Sequence, residues 1–230
     1  MADYKKEAAK AALGFIRQGH TIGLGAGSTV VHLADLIKQN RDLAETVTFV
    51  SSSFKTNNYL VENKLKVQSA LLINKLDCYF DGCDQFDSQL NALKSGGGIH
   101  TAEKILAAMA KDFVLMGDEG KFVPKLNAAY PLVIEILPLA LQMILNRLAT
   151  EFPGAEVKFR MSNQKDGALI SENGNFLADI HFAELPDLQD LNIRVKMIPG
   201  IVEHSLFYKM ATKAIIAGEN GVRIIEAPVR

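Results

Sequence analysis

Short apolar runs alternate with amphipathic stretches through the first half of the chain, and the hydrophobic period changes wherever turn residues intervene. From Tyr4 to Arg17, alanine and charge fall at helical spacing and predict a helix. Thr21 to Leu24 predicts a strand, the segment after Ser28 a helix, and Val47 to Val50 a second strand. Further strands are expected at Val67 to Ile73, Cys78 to Phe80 and Phe113 to Met116. This alternation is the rhythm of βαβ units. The expected fold class is therefore α/β, a Rossmann-like, largely parallel sheet with helices on both faces, whose ligands gather at the carboxyl ends of the strands.

Around Tyr130 the pattern changes. YPLVIEILP reads as a strand ending at Pro138, LALQMILNRLAT as an amphipathic helix, and VKFRMS with NFLADIHF as paired strands. A smaller α+β domain over residues 128–199 follows, with residues 1–127 and 200–230 forming the Rossmann-like domain. The tail from Lys213 to Glu226, two apolar runs around ENG, predicts a hairpin that returns to the first sheet.

Composition narrows the class of ligand. With 230 residues, 48% hydrophobic and 22% charged, the chain can bury a full core as an ordinary soluble globular protein. A formal net charge of -1 argues against broad capture of nucleic acid or of an anionic membrane, so a small-molecule ligand is expected. Cys78 and Cys83 are too few for a disulfide framework and too isolated to bind zinc, which fits packed thiols in a reducing cytoplasm. The N-terminal stretch lacks the apolar centre of an export signal, and no run reaches the roughly 18 apolar residues of a membrane span. The five histidines show no HxH or HExxH spacing; they are expected at the surface or the core edge, and no metal site is expected.

Two stretches carry candidate chemistry. Residues 81–103, DGCDQFDSQLNALKSGGGIHTAE, crowd acids, a lysine and a glycine run between a strand and a helix start. Asp81, Asp84 and Asp87 recur every three residues, a spacing that no regular strand holds on one face, so a loop is expected. Gly96, Gly97 and Gly98 leave amides open to an anion, with Lys94 beside them and a helix starting near His100. The second stretch, GLGAGST at 23–29, runs from a strand through glycines to a helix start, which suits a phosphate. It lacks both the dinucleotide GxGxxG with its later acid and the GK[ST] of a P-loop. Each residue also has a plainer role. The glycine turn can be a tight connection with Ser28 as a cap, the aspartates turn formers, Glu103 a complement to a helix dipole, and Lys121 a solvated lysine.

Taken in order, these motifs resemble the type A family of ribose-5-phosphate isomerases. GLGAGST, SSS at 51–53, DGCDQFDSQLNALKSGGG, Glu103, DEGK at 118–121, YPLVIEILP and PGIVEHSLF at 199–207 follow that family's order across essentially the whole chain. The resemblance implies a metal-free, cofactor-free isomerase of the non-oxidative pentose phosphate pathway. It would interconvert D-ribose 5-phosphate and D-ribulose 5-phosphate through an enediol, as a cytoplasmic homodimer or homotetramer. It assigns Glu103 as the base, Asp81 and Asp84 to the sugar hydroxyls and the open-chain form, and Lys94 to the developing oxyanion. Lys121 with Gly27, Ser28 and Thr29 would hold the phosphate or its neighbouring groups, while Ala26, Gly82, Cys83, Ser95, Gly96 and Gly97 would line the substrate. The family pattern is not matched everywhere. Cys83 and Gln85 interrupt its DGADE, Ser95 its KGGGG, Ala26 replaces a usual threonine, and Gly120 a serine. Two rivals follow: a paralogue acting weakly or on another sugar phosphate, and a sugar-sensing domain of the kind carried by bacterial repressors. The second would need a DNA-binding helix-turn-helix, for which the first strand near Thr21 leaves no room ahead of it.

Overall fold

A computed structural model describes residues 3–228. In chain order the elements are α1 Tyr4–Leu13, β1 Thr21–Leu24, α2 Ser28–Gln39, α3 Arg41–Thr46, β2 Thr48–Ser51 and α4 Phe54–Glu62. Then come β3 Leu76–Asp81, β4 Gln85–Phe86, β5 Ala92–Leu93, α5 His100–Met109, β6 Ala110–Asp118, β7 Leu132–Ile136 and α6 Leu141–Glu151. The chain closes with β8 Glu156–Phe159, β9 Phe176–His181, α7 Leu188–Lys196, β10 Ile201–His204, β11 Leu206–Phe207, β12 Lys213–Gly218 and β13 Gly221–Glu226.

Six strands form the main sheet in the order β13-β12-β6-β3-β1-β2, parallel except for β13. Side chains alternate across it as the two-residue period requires. Phe80, Val114, Met116 and Ile215 face α1 and α2, while Tyr79, Phe113, Leu115 and Ile216 face the opposite core with Leu106 and Ala107 of α5. Helix α2 turns Val30, Leu33, Ala34 and Ile37 inward, the spacing of one helical stripe. Helix α1 buries Ala8, Ala9 and Ala12, whose small side chains let it lie close to the sheet. It stops at Leu13 rather than Arg17, because the amides of Phe15 and Ile16 bond back only three residues, to Ala12 and Leu13. The order of the parallel strands reverses between β1 and β3, and at that point the crossovers leave a crevice at the carboxyl ends.

The strand expected at Val67 to Ile73 does not form. Val67 makes a single bridge to Phe49 at the sheet edge, after which the Ser69 hydroxyl accepts from the Leu71 amide and closes a 3₁₀ turn. Leu71 and Leu72 point outward, so the apolar run buries little and has no second strand to pair with. Cys78 to Phe80 and Phe113 to Met116 lie within β3 and β6, and the tail forms the expected hairpin, with β12 joining β6.

A four-stranded antiparallel sheet, β10-β7-β9-β8, carries α6 and α7 around a separate core that includes Ile134, Ile144, Leu148, Ala178, Leu191 and Val195. A third, small sheet, β11-β5-β4, links the two. We propose a division of the chain near residues 1–127 with 200–230 and 128–199, with β10 pairing on the side of the smaller sheet. Ile215 lies fully buried on β12, between β6 and β13, whereas Ile224 on the edge strand β13 is half-exposed. Urea unfolding should show Ile215→Ala losing about 2 to 5 kcal/mol and Ile224→Ala less than about 1 kcal/mol.

Candidate active site

Asp81 ends β3 at the crevice and is buried there. One carboxylate oxygen accepts from the amides of Ala26 and Gly82 at 3.2 and 2.8 Å. The other accepts from the Tyr79 hydroxyl, which also lies 3.3 Å from the Ser52 hydroxyl, and pairs with the Lys94 ammonium at 2.8 Å. This packing explains a glycine of the β1 turn. A Cβ built on Gly25 would lie 1.9 Å from the Asp81 carboxyl carbon, so no side chain fits. Gly27 precedes α2 with φ of 106°, a conformation that glycine adopts without strain, and α2 begins there with no side-chain cap.

Lys94 follows β5 and reaches back under the crevice. Its ammonium also donates to the Gly82 carbonyl and lies 3.2 Å from Oε1 of Glu103, which projects from the first turn of α5. Asp81, Glu103 and Lys94 are only 1%, 4% and 6% exposed. Burial pushes the Glu103 carboxyl up to about 8, against the opposing pull of Lys94. Burial alone would lower the Lys94 ammonium, but Asp81 and Glu103 outweigh it and hold it above its usual value. The second Glu103 oxygen, Oε2, is buried and has no hydrogen-bond partner among the described residues. Such an orphaned acceptor is rare enough to need a reason.

The loops around this cluster do not all lie as the sequence suggests. Oδ2 of Asp84 accepts from the amides of Ser95 and Gly96, so two amides of the glycine loop already hold an anion. Gly97 and Gly98 both have φ of 69°, whereas Ser95 does not have positive φ. Its Cβ therefore brings no backbone strain, and its hydroxyl donates to the Pro131 carbonyl. Gln85 turns away from the acids. Its side chain accepts from the Asn127 amide and donates to the Asn127 carbonyl. Asp87 is a buried turn former, accepting from the amides of Gln89 and Asn91. His100 and His204 are wholly buried rather than at the surface, and burial lowers them to about 4 and about 3.

A cavity of about 250 Å³ opens over the cluster, lined by Ala26, Gly27, Gly82, Cys83, Asp84, Lys94, Gly96, Gly97, Ile99, Glu103 and Lys121. Lys121, in the 3₁₀ turn that follows β6, donates to the Cys83 carbonyl. Ser28 and Thr29 stand at the start of α2 beside Gly27, Asp81 lies behind Lys94, and Ser95 packs under the loop; none of these four is in the cavity wall. Sequence reading did not find Ile99, Tyr79 or Arg160, whose guanidinium donates to the Ser95 carbonyl at 2.7 Å from the smaller sheet. No local pattern marks them. A groove of about 790 Å³ between α6 and α7 is larger, but it is lined mainly by Met143, Ile193, Met197 and Ile198 with Arg147, Glu151 and Arg194, and holds no comparable cluster. Among the described residues, no group of three His, Cys, Asp or Glu is placed to hold a metal ion, and no helix is long and apolar enough to cross a membrane.

Fold and site together define an α/β enzyme with a buried carboxylate, ammonium and carboxylate cluster where its strand order reverses. Residues 48–221 match the family model for ribose 5-phosphate isomerase A (phosphoriboisomerase A). The chain is 35% identical to ribose-5-phosphate isomerase A of Pyrococcus abyssi, over 97% of this chain and 98% of that protein. It is 36% identical to the Methanothermobacter thermautotrophicus protein of the same name, over 96% of each. A solved D-ribose-5-phosphate isomerase in complex with phospho-erythronic acid superposes with a TM-score of 0.90 at 33% identity, covering 97% of this chain and 98% of that one. The Plasmodium falciparum ribose 5-phosphate isomerase gives 0.91 at 28% identity over the whole of both chains. The chain belongs to the type A ribose-5-phosphate isomerase family. Residues 1–74 also match a model of the DeoR C terminal sensor domain.

Because Gly25 makes room for the Asp81 carboxylate, Gly25→Ala should displace Asp81 and Lys94 together. Steady-state kinetics on ribose 5-phosphate should then show kcat/KM lowered at least about tenfold.

Proposed function

We propose that the chain interconverts D-ribose 5-phosphate and D-ribulose 5-phosphate, with Glu103 as the base. The observation that carries this reading is the unpartnered Glu103 oxygen at the wall of a cavity whose floor holds Lys94. An aldose with its aldehyde at C1 becomes a ketose when the proton leaves C2, O1 gains a proton to give the enediol, and a proton returns to C1 as O2 gives one up. One carboxylate near neutrality can make both carbon transfers, and burial holds Glu103 in that range. Lys94 stabilises the charge growing on the carbonyl oxygen, Asp84 in the cavity wall engages a sugar hydroxyl, and Asp81, expected from the resemblance to do the same, lies behind Lys94 and holds its ammonium instead. The phosphate would lie at the open start of α2, on Gly27 with Ser28 and Thr29 just beyond the cavity wall, and Lys121 lines the same cavity. Ala26, Gly82, Cys83, Gly96 and Gly97 complete the substrate's surroundings, with Ser95 behind the loop rather than in the wall.

Phospho-erythronic acid, held by a relative, is a phosphorylated polyhydroxy acid and so belongs to the ligand class that this site suits. The sensor-domain match favours a second reading, a sugar-phosphate sensor, but it ends at residue 74, before Asp81, Lys94 and Glu103. A sensor needs none of these as a base. A homodimer or homotetramer working in the cytoplasm, in the non-oxidative pentose phosphate pathway, completes the proposal.

Conversion of ribose 5-phosphate by the purified protein tests the activity directly, and its absence would favour the sensor. Glu103→Gln should lower kcat by at least about 100-fold while the fold persists; near-normal turnover would remove Glu103 from the base role.

The pH dependence follows from the same cluster, in which Lys94 and, from β3, Asp81 and Tyr79 face Glu103. The base works deprotonated, so kcat/KM should rise with pH through the range approaching 8 and level off above it. Lys94→Met removes the charge that lowers Glu103, and should both reduce kcat and move this limb to higher pH.

A further inference from the structure

Glu135 is a carboxylate next to the last residue of β7 that is 1% exposed and has no cation within ion-pair distance among the described residues. Burying an anion in this way is costly unless its oxygens are satisfied. Here neutral donors satisfy them. Ser171, Asn173 and Asn175 donate at 2.6, 3.0 and 2.9 Å from the loop before β9, and the Thr101 hydroxyl donates from α5. Burial alone would raise the Glu135 carboxyl, but these hydrogen bonds outweigh it and hold it below its usual value.

Of these side-chain bonds to Glu135, the one from Thr101 ties it to the first turn of α5. That turn has no side-chain cap of its own, since Ile99 stands at the cap position, so the nearby anion also complements the positive end of the helix. Two residues after Thr101 comes Glu103. One Glu103 oxygen meets Lys94 at 3.2 Å and the other has no hydrogen-bond partner among the described residues, so its place depends on where the α5 backbone is held. The neighbouring strand repeats the device. Glu203 lies opposite Glu135 in the β7 and β10 pair and binds Lys104 at 2.9 Å, one turn further along α5.

We propose that Glu135 is a positioning residue: through Thr101 it fixes the first turn of α5, and with it the Glu103 carboxylate against Lys94. The proposal rests on the base role given to Glu103 above. The smaller sheet thus takes part in the chemistry without touching the substrate.

Three variants test it: Thr101→Val, which keeps the shape and removes the hydroxyl, Thr101→Ser, which keeps the hydroxyl, and Asn173→Ala, which loosens Glu135 from an exposed loop position. Each is followed by steady-state kinetics on ribose 5-phosphate and, independently of activity, by carbon-13 NMR titration of Glu103. Thr101→Val should lower kcat about tenfold with KM little changed, because a small misplacement of a reacting group affects the transition state most. Its Glu103 titration should move to higher pH as the Lys94 contact lengthens, with Asp81 and Tyr79 still facing the group. Thr101→Ser should restore both, and Asn173→Ala should move both in the same direction by less. A lowered melting temperature in Thr101→Val with kcat and the titration unchanged would overturn the proposal, as would a titration that Thr101→Ser does not restore. If Thr101→Val does not fold, an unchanged kcat and titration in Asn173→Ala would do the same. If the wild type does not isomerise the sugar phosphate, the activity reading fails, and the Glu103 titration in these variants still decides the positioning role.

Discussion

The ammonium of Lys94 sits between two carboxylates, Asp81 at 2.8 Å and Glu103 at 3.2 Å, and all three side chains are nearly closed to water. Desolvating each charge costs several kcal/mol, so the group persists only if its hydrogen bonds are complete or its shortfall serves something. Asp81 meets the first condition, with the amides of Ala26 and Gly82, the Tyr79 hydroxyl and Lys94 around it. Glu103 does not, and its open oxygen and raised proton affinity are a cost to stability that fits the base role proposed for it.

Much of the surrounding architecture answers to this cluster. Gly25 carries no side chain because the Asp81 carboxylate occupies that volume, and Gly98 carries none because Leu177 of β9 does. Lys94 leaves β5 at a point set by pairing with β11, and its amide donates to the Ser205 carbonyl. Arg160 holds the Ser95 carbonyl while pairing with Asp179 at 2.7 Å. The glycine loop is therefore clamped from the smaller sheet.

Departures from the family pattern become intelligible in the same terms. Ser95 lies outside the positive-φ region and adds a hydrogen bond to Pro131. Gln85 uses both ends of its amide on Asn127, where a carboxylate could accept but not donate. Ala26 contributes to Asp81 through its amide, which any residue supplies. A Cβ at Gly120 would lie 3.1 Å from Oδ1 of Asp118, the oxygen that accepts from the Gly120 amide, a close contact that a small shift of the Asp118 side chain relieves.

The βαβ alternation, the glycine turn, the crowded acids and the final hairpin were legible in the sequence, because each is written in neighbouring residues: periods of two and 3.6, and turn chemistry. Motif order also pointed to Asp84, Lys94, Glu103 and Lys121, which the fold brings to one cavity, and to Asp81, which lies behind Lys94. What local pattern could not reveal was partnership across distance. Val67 to Ile73 has a strand's composition but lies beyond an edge with no second strand to pair it. Asp84, Gln85 and Asp87 are alike in a linear reading, yet one holds the glycine loop, one holds Asn127 and one closes a hairpin. Tyr79, Arg160 and Glu135 are ordinary residues in sequence, and each has a partner 27 to 65 positions away. Secondary structure follows from short-range sterics and hydrogen bonding, so the chain alone determined it in most places. Burial and charge pairing depend on which segments meet, and only the tertiary structure decided those.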